Sequence, residues 1–403
     1  MPGVFDRLAG QAEVVAELTA AATAARRRVP GQGWEESDAR MVHAWLFTGP
    51  PGSGRSVAAL AFAAALQCEH PEIVGCGECR ACHTVLAGTH ADVHLLAPQG
   101  VNILLKDVKE TIQRAASRPG TGRWQIVVVE EADRLTEQSG NALLKVVEEP
   151  PSRTVFLLCS PTTDPMDIMV TLRSRSRNVA LRQPDAAAVE NALLVDEGID
   201  PDLARWAASV SSGHVGRARW LATDEATRER REVVLQLPMV MHNPGRAFPL
   251  ADQLVRAAEQ EAVARNTESE EREVEELRTA LGAGGTGKGT ASASRGASGA
   301  VKELERAQKS RRTRSTRDSL DLALVDLAGF YRDALMASLG AGDVSPVHAD
   351  KADEAARLGG HYPAASILKA IEAVQDCRAA IEVNVKPKFA VSAMVGAIRG
   401  ALG

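Results

Sequence analysis

The spacing of apolar residues changes period along the chain, and each change predicts an element. From Phe5 to Ala25, apolar positions including Val14, Val15, Leu18, Ala21 and Ala22 recur at helical spacing. Residues 26–40 are polar, with Pro30, Gly31 and Gly33, and predict a loop. The apolar run ending at Leu46-Phe47 predicts a strand, and the Ala-rich run Val57–Leu66 predicts a helix. A helix follows over Asp107–Ala116, with Val108 and Ile112 on one face, broken by Gly120-Thr121-Gly122. Trp124 to Val129 is a continuous apolar run that ends in acid, the pattern of a parallel strand buried on both faces. Leu143, Leu144, Val146 and Val147 make an amphipathic helix stopped by Pro150 and Pro151. Thr154–Ser160 predicts another buried strand.

Beyond Pro184 the period is helical almost throughout. Helices are expected over 187–194, 202–210 and 215–221, beyond Pro244, over Asp318–Leu339 and His361–Ile381, and in a last segment ending at Leu402. Between them lies a stretch of unusual composition. Glu268, Glu270, Glu271, Glu273, Glu275 and Glu276 precede a Gly/Ala/Ser/Thr-rich segment at 281–300, expected to be flexible. Basic residues including Lys309, Arg311, Arg312 and Arg314 follow. An acidic and a basic helix joined by a flexible tip predict an antiparallel hairpin inserted over 262–318; the alternative is that the basic arm contacts DNA phosphate.

Composition supports a multidomain globular protein. The chain has 403 residues, 45% of them hydrophobic and only 3% aromatic, so its cores are built from Ala, Leu and Val, which favours helices. A net charge of −5 argues against a protein-wide DNA-binding surface and leaves room for a local basic patch. Without a basic-then-apolar leader pattern or 18 apolar residues in a row, a cytoplasmic location and no membrane contact are expected. Six cysteines in such a compartment point to metal ligands or free thiols rather than disulfides.

The chemistry is concentrated in the first 180 residues. Gly49-Pro50-Pro51-Gly52-Ser53-Gly54-Arg55-Ser56 is nearly the phosphate-binding loop G-x-x-x-x-G-K-[ST], with Arg55 where the lysine belongs. Between strand and helix, such a loop aims backbone N–H groups at phosphate, and Ser56 stands where a hydroxyl would hold Mg²⁺. An arginine keeps the charge but replaces a slim point charge with a wide planar fork. The loop therefore predicts a pocket for ATP or ADP with Mg²⁺ in which hydrolysis is weak or absent. Cys68, Cys76, Cys79 and Cys82 place four thiols within 15 residues, the donor set of a closed, structural Zn²⁺ site. A disulfide pair and an iron–sulfur fragment are the rival readings. Nearby His70, His83, His90 and His94 are not needed as ligands.

Glu130 and Glu131 stand at a strand tip, where acids would hold the Mg²⁺ shell and polarise water; a buried strand followed by a charged helix start is the plainer alternative. Ser160 ends the next strand, where a polar side chain can sense a γ-phosphate. Arg173, Arg175 and Arg177 fall within five residues, a string equally compatible with a solvated turn, a phosphate-backbone contact, or an arginine presented to a neighbouring subunit's nucleotide.

These pieces, in this order, resemble the clamp-loader branch of the AAA+ family. The similarity lies in Phe5 to Gln11, the phosphate loop, the four-cysteine module, Ala87-Gly88-Thr89-His90-Ala91-Asp92, Asn141-Ala142-Leu143-Leu144-Lys145 with Glu148-Glu149-Pro150-Pro151, and Thr171 to Arg177. The resemblance implies an α/β P-loop core with a parallel sheet flanked by helices over 1–182, carrying the zinc module at 68–82. An all-α lid over 183–240 and an all-α collar over 241–403 would follow.

It also implies that Arg175 is an arginine finger given in trans, that Ser160 is a first sensor, and that Arg217, within Gly213-His214-Val215-Gly216-Arg217, is the basic residue of a second. The implied role is that of a subunit of the DNA polymerase III holoenzyme, in a hetero-oligomeric ring with gamma/tau and delta subunits that loads a sliding clamp onto primed DNA. The Arg55 departure fits a member with degraded ATPase machinery; a gamma-like active ATPase is the alternative.

Overall fold

The computed structural model describes residues 3–27, 40–98, 100, 102–195, 198–280, 290–341 and 343–403. Most of the expected loop at 26–40 therefore lies outside the described residues. The chain divides into two compact units, Met1–Thr223 and Asp224–Gly403.

In the first unit, the single helix expected from Phe5 is broken. A 3-10 turn at Val4–Arg7 is followed by α1 (Ala12–Arg26), because Gly10 takes the left-handed conformation (φ 68°) and turns the chain between them. There follow β1 (Ala44–Thr48), α2 (Arg55–Gln67), α3 (Arg80–Leu86), β2 (Val93–Leu96), α4 (Leu105–Ala115), β3 (Gln125–Val129), α5 (Glu137–Glu148), β4 (Thr154–Ser160), α6 (Val170–Ser174) and β5 (Arg177–Ala180). The strands form one parallel sheet in the order β2-β3-β4-β1-β5, with Trp45 of β1 level with Leu157 on one side and Arg177 on the other.

Period-two alternation divides the strand side chains between two cores. Trp45, Phe47, Val155 and Leu157 face the α1 and α2 side, where Trp45 meets Phe62 edge-on at 4.9 Å. Leu46, Phe156 and Leu158 face the other side, against Val108 of α4 and Leu143 and Val147 of α5. Neither β2 nor β5 was evident in the sequence. Both are four-residue edge strands with only one buried position each, so their pattern resembles a loop.

Two polar clamps fix the sheet at the N-terminal ends of its strands. Gln67, the last residue of α2, donates to Trp124 O at 2.6 Å and accepts from the N–H groups of Arg123 (2.8 Å) and Trp124 (3.3 Å). Asp92, before β2, accepts from the N–H groups of Gly120, Thr121 and Gly122 and from Gln125 Nε2. Three further helices complete the unit: α7 (Ala186–Leu194), α8 (Pro201–Val210) and α9 (Val215–Thr223), with a core of their own around Leu193, Ala207 and Leu221.

Among the described residues the second unit is helical: α10 (Glu225–Val240), α11 (Pro244–Ala280), α12 (Thr290–Ser338), α13 (Ala352–His361), α14 (Ala364–Glu382) and α15 (Pro387–Leu402). Leu320, Leu324, Leu327 and Phe330 of α12 centre its core. The expected charged hairpin is formed by α11 and α12. Arg311 and Arg312 pair with Glu273 and Glu270, and Gln308 Nε2 donates to Glu270 O at 3.0 Å. Arg311 and Arg312, two of the basic side chains read as DNA contacts, are thus engaged across the hairpin, while Arg314 pairs with Asp318 of its own helix.

Of the Gly/Ala/Ser/Thr-rich segment expected to be flexible, 281–289 lie outside the described residues, and α12 begins at Thr290. The helix expected over His361–Ile381 is α14, which begins at Ala364 because Pro363 caps it, while His361 ends α13.

Candidate nucleotide and metal sites

The phosphate loop leaves the C-terminal end of β1, an inner strand between β4 and the edge strand β5. Gly52 and Gly54 take positive φ (85° and 92°), conformations that an L side chain rarely adopts. Their close surroundings also demand glycine: a Cβ on Gly49 would lie 2.5 Å from Leu181 O, and one on Gly52 would lie 2.4 Å from His214 Cγ. Pro50 O accepts from Ser53 N at 3.1 Å, closing the turn past Pro51. Gly54 is the N-cap of α2 and supplies no capping side chain, so the first-turn N–H groups of α2 face the loop. Ser53 is 3% exposed and its Oγ has no hydrogen-bond partner.

Arg55 explains how the loop is held. Its guanidinium bends back and donates from Nη1 to Gly49 O, across the turn where a lysine would extend outward to phosphate. Burial lowers its pKa, opposed by Cys159 and Asp133. Ser56 follows on the first turn of α2, half-buried.

The acids behave unequally. Glu130 N–H continues the sheet by donating to Leu96 O at 2.9 Å. Glu131 takes a left-handed conformation (φ 54°), with its carboxylate 3.8 Å from Arg134 Nε. Asp133, which the sequence reading passed over, carries a buried Oδ1 with no hydrogen-bond partner. Burial raises its pKa, while Arg134 and Arg55 pull it down. A third acid in Glu130-Glu131-Ala132-Asp133 was the available signal. Ser160 is fully buried and donates from Oγ to Thr162 O at 2.9 Å, so its hydroxyl is held by its own loop. Burial and then the Glu130 charge push the neighbouring Cys159 thiol up to about 12, leaving it neutral.

From the other side, α9 brings Arg217, 4% exposed, and His214. His214 Nδ1 accepts from Arg217 N–H at 3.1 Å, which assigns the ring proton of the neutral imidazole to Nε2. Burial, then Arg217 and Arg55, lower the His214 pKa and keep the ring neutral near pH 7. Its ring lies against Gly52. The sequence singled out Arg217 in this segment and missed that His214 is what touches the loop.

Arg175 caps the C-terminus of α6 and is 41% exposed. Its Nη2 lies 2.7 Å from Glu148 Oε1 at the end of α5, and Nη1 reaches Thr171 O at 3.2 Å and Ser174 Oγ at 3.3 Å. Gly140 sets the spacing of these elements: a Cβ there would lie 2.3 Å from Met169 Sδ, just before α6. Arg173 and Arg177 turn elsewhere, to Thr163 O (2.8 Å) and Glu17 (2.6 Å). The three arginines are therefore separated by the structure, and Arg175 alone takes a carboxylate of α5 as its partner.

The four cysteines converge. Cys68 ends α2, Cys79 caps α3, and all four Sγ atoms lie within 4.8 Å of one another. Backbone N–H groups point at the sulfurs: Cys79 N to Cys76 Sγ (3.3 Å), Glu69 N to Cys79 Sγ (3.4 Å) and Cys82 N to Cys79 Sγ (3.5 Å). Such donors favour thiolate. At Cys68, burial pushes the other way, but donors led by Cys76 N–H bring the pKa down to about 7. Four soft donors at this spacing, three of them buried, fit a tetrahedral metal ion.

A five-stranded parallel sheet, a glycine loop between the inner strand β1 and α2, and a following helical module define a P-loop domain of the AAA+ type. The family model described as "DNA polymerase III, delta subunit" matches residues 35–185. The chain is 30% identical over 211 residues to the DNA polymerase III subunit delta' of Bacillus subtilis, covering 52% of this chain and 63% of that one. It is 36% identical over 179 residues to the subunit delta' of Escherichia coli, covering 44% and 53%. It is 34% identical over 177 residues to the tau/gamma subunit of Haemophilus influenzae, covering 42% and 25%. The chain thus spans little more than half the length of these two delta-prime relatives. Over this part of its length the chain is similar to delta-prime and other clamp-loader subunits.

Proposed function

We propose that the chain is a clamp-loader subunit of the DNA polymerase III holoenzyme that gives Arg175 in trans to the ATP site of a neighbouring gamma/tau subunit. The observation that carries this is the contrast between two arginines. Arg55 is turned onto Gly49 O within its own loop, while Arg175 stands exposed at the end of α6. An arginine donated across a subunit joint neutralises charge as phosphoryl transfer proceeds.

The chain's own pocket, formed by Gly49 to Ser56 with Ser160 and Arg217, is vestigial. ATP or ADP with Mg²⁺ does not fit it as it stands, because the Arg55 fork crosses the turn, the Ser160 hydroxyl is engaged and Glu131 is turned toward Arg134. Glu130 and Glu131 are relics of the water-activating pair. Cys68, Cys76, Cys79 and Cys82 hold a structural Zn²⁺, with no ligand position left for water.

Domains at 1–182, 183–240 and 241–403 serve as core, lid and collar of a ring completed by gamma/tau and delta. In the cytoplasm that ring opens a sliding clamp and sets it on primed DNA, which this subunit meets through the assembly. Among the described residues no helix is long and apolar enough to cross a membrane.

ATP turnover by the isolated chain and by the reconstituted loader tests this. The isolated chain should not hydrolyse ATP. Arg175→Ala should slow the site it completes by about 10³-fold, reducing the loader's turnover by that site's share. Brisk hydrolysis by the isolated chain, abolished by Glu131→Gln, would instead make this a gamma-like ATPase.

A further inference from the structure

We infer that Glu148 is a positioning residue for Arg175. Its carboxylate holds the guanidinium against its own domain until a neighbour's triphosphate replaces it. This rests on Arg175 acting as the finger proposed above, and adds how that finger is restrained until assembly.

The local sequence is odd unless Glu148 has such a partner. The last turn of a helix carries the negative end of its dipole, where an acid is disfavoured and a lysine or arginine would be the stable choice. Yet α5 ends in Glu148, with Glu149 next and Pro150 closing the segment. Lys145 is the basic residue of that last turn, and Arg175 brings a second cation onto the acid itself, its Nη2 2.7 Å from Glu148 Oε1. The contact between Gly140 and Met169 seats α6 against α5, and buried Leu143 and Leu172 pack in the same core, so the pair is set by the fold.

A carboxylate and a phosphate present similar oxygen pairs to the same planar fork, so one can displace the other without redesign. Strength decides the direction. Both side chains are about two-fifths exposed (41% and 39%), so solvent screens the pair. A triphosphate carries several negative charges against one on Glu148, and engages the arginine in a site drained of water, where the attraction is stronger. The carboxylate therefore orders the guanidinium in the free subunit and yields it on assembly. It acts as a mild brake.

The test uses the reconstituted loader with kcat/KM for ATP as the readout. Glu148→Gln should raise kcat/KM by about two- to fivefold, the range of an exposed ion pair. Glu148→Asp, which keeps the charge, should return toward the parent value. In an Arg175→Ala background, Glu148→Gln should change nothing, which separates an action through the arginine from a general loosening of α5. An unchanged or lowered kcat/KM for Glu148→Gln, while Arg175→Ala is strongly impaired, would overturn the brake and leave the finger standing. The same rise with and without Arg175 would also overturn it. An Arg175→Ala loader of parental activity would remove the finger and the brake together.

Discussion

Asp92 offers a stability prediction whose size can be worked from contacts. The side chain is 3% exposed, and both oxygens are fully engaged. Oδ1 accepts from Gly120 N (2.8 Å) and Gln125 Nε2 (3.0 Å), and Oδ2 from Thr121 N (2.8 Å), Thr121 Oγ1 (2.9 Å) and Gly122 N (2.6 Å). Burial works against its ionisation, but the N–H groups of Gly120, Gly122 and Thr121 override it and bring the pKa down from 3.8 to about 2. That difference corresponds to about 2 kcal/mol of stability at neutral pH.

In Asp92→Asn the charge is lost, and one oxygen becomes an NH₂ facing donors. At least one buried N–H loses its acceptor, at about 1–3 kcal/mol. The total is a loss of about 3–5 kcal/mol. Because the folded pKa is depressed, the ionic share is complete above about pH 4 and is lost as pH falls toward 2. The gap between parent and variant should hold from pH 8 to 5 and narrow below pH 4. Urea unfolding followed by tryptophan fluorescence, which Trp45 and Trp124 report from the same unit, measures it. A variant within about 0.5 kcal/mol of the parent, or a gap that widens in acid, would refute this account of the site.

Two further predictions concern the metal and the α5–α6 contact. The chain should bind one Zn²⁺, and Co²⁺ in its place should show the intense absorption of a tetrahedral thiolate site; Cys82→Ala should lose both, and a normal spectrum in that variant would exclude the four-cysteine site. Gly140→Ala should not give the gain of about 1 kcal/mol expected for alanine in a helix, because its Cβ would meet Met169 Sδ at 2.3 Å; a clean stabilisation in thermal unfolding would show that α6 is not seated there.

The sequence was most legible where a local pattern had one physical solution. Three central strands are buried on both faces and therefore apolar throughout, so they stood out, as did the helices between them. Four thiols in a short turn-rich segment could be grouped without coordinates. The charged hairpin was readable because opposite charge along two helices is itself a pairing rule. Breaks were harder: Gly10 interrupts a run whose apolar spacing continues straight through it.

What the sequence determined by itself was the chemistry available: a phosphate loop with the wrong cation, acids at a strand tip, a cysteine knot, and an arginine string after the last long strand. Only the tertiary structure decided how those groups are used. It turned Arg55 onto Gly49 O, laid His214 against Gly52, left Asp133 Oδ1 without a partner, and gave Arg175 rather than its neighbours to Glu148. The reason is range. A strand or helix is specified by residues a few places apart, whereas the direction of a long polar side chain is set by whatever acceptor a distant segment brings within about 3 Å, and no local period carries that information.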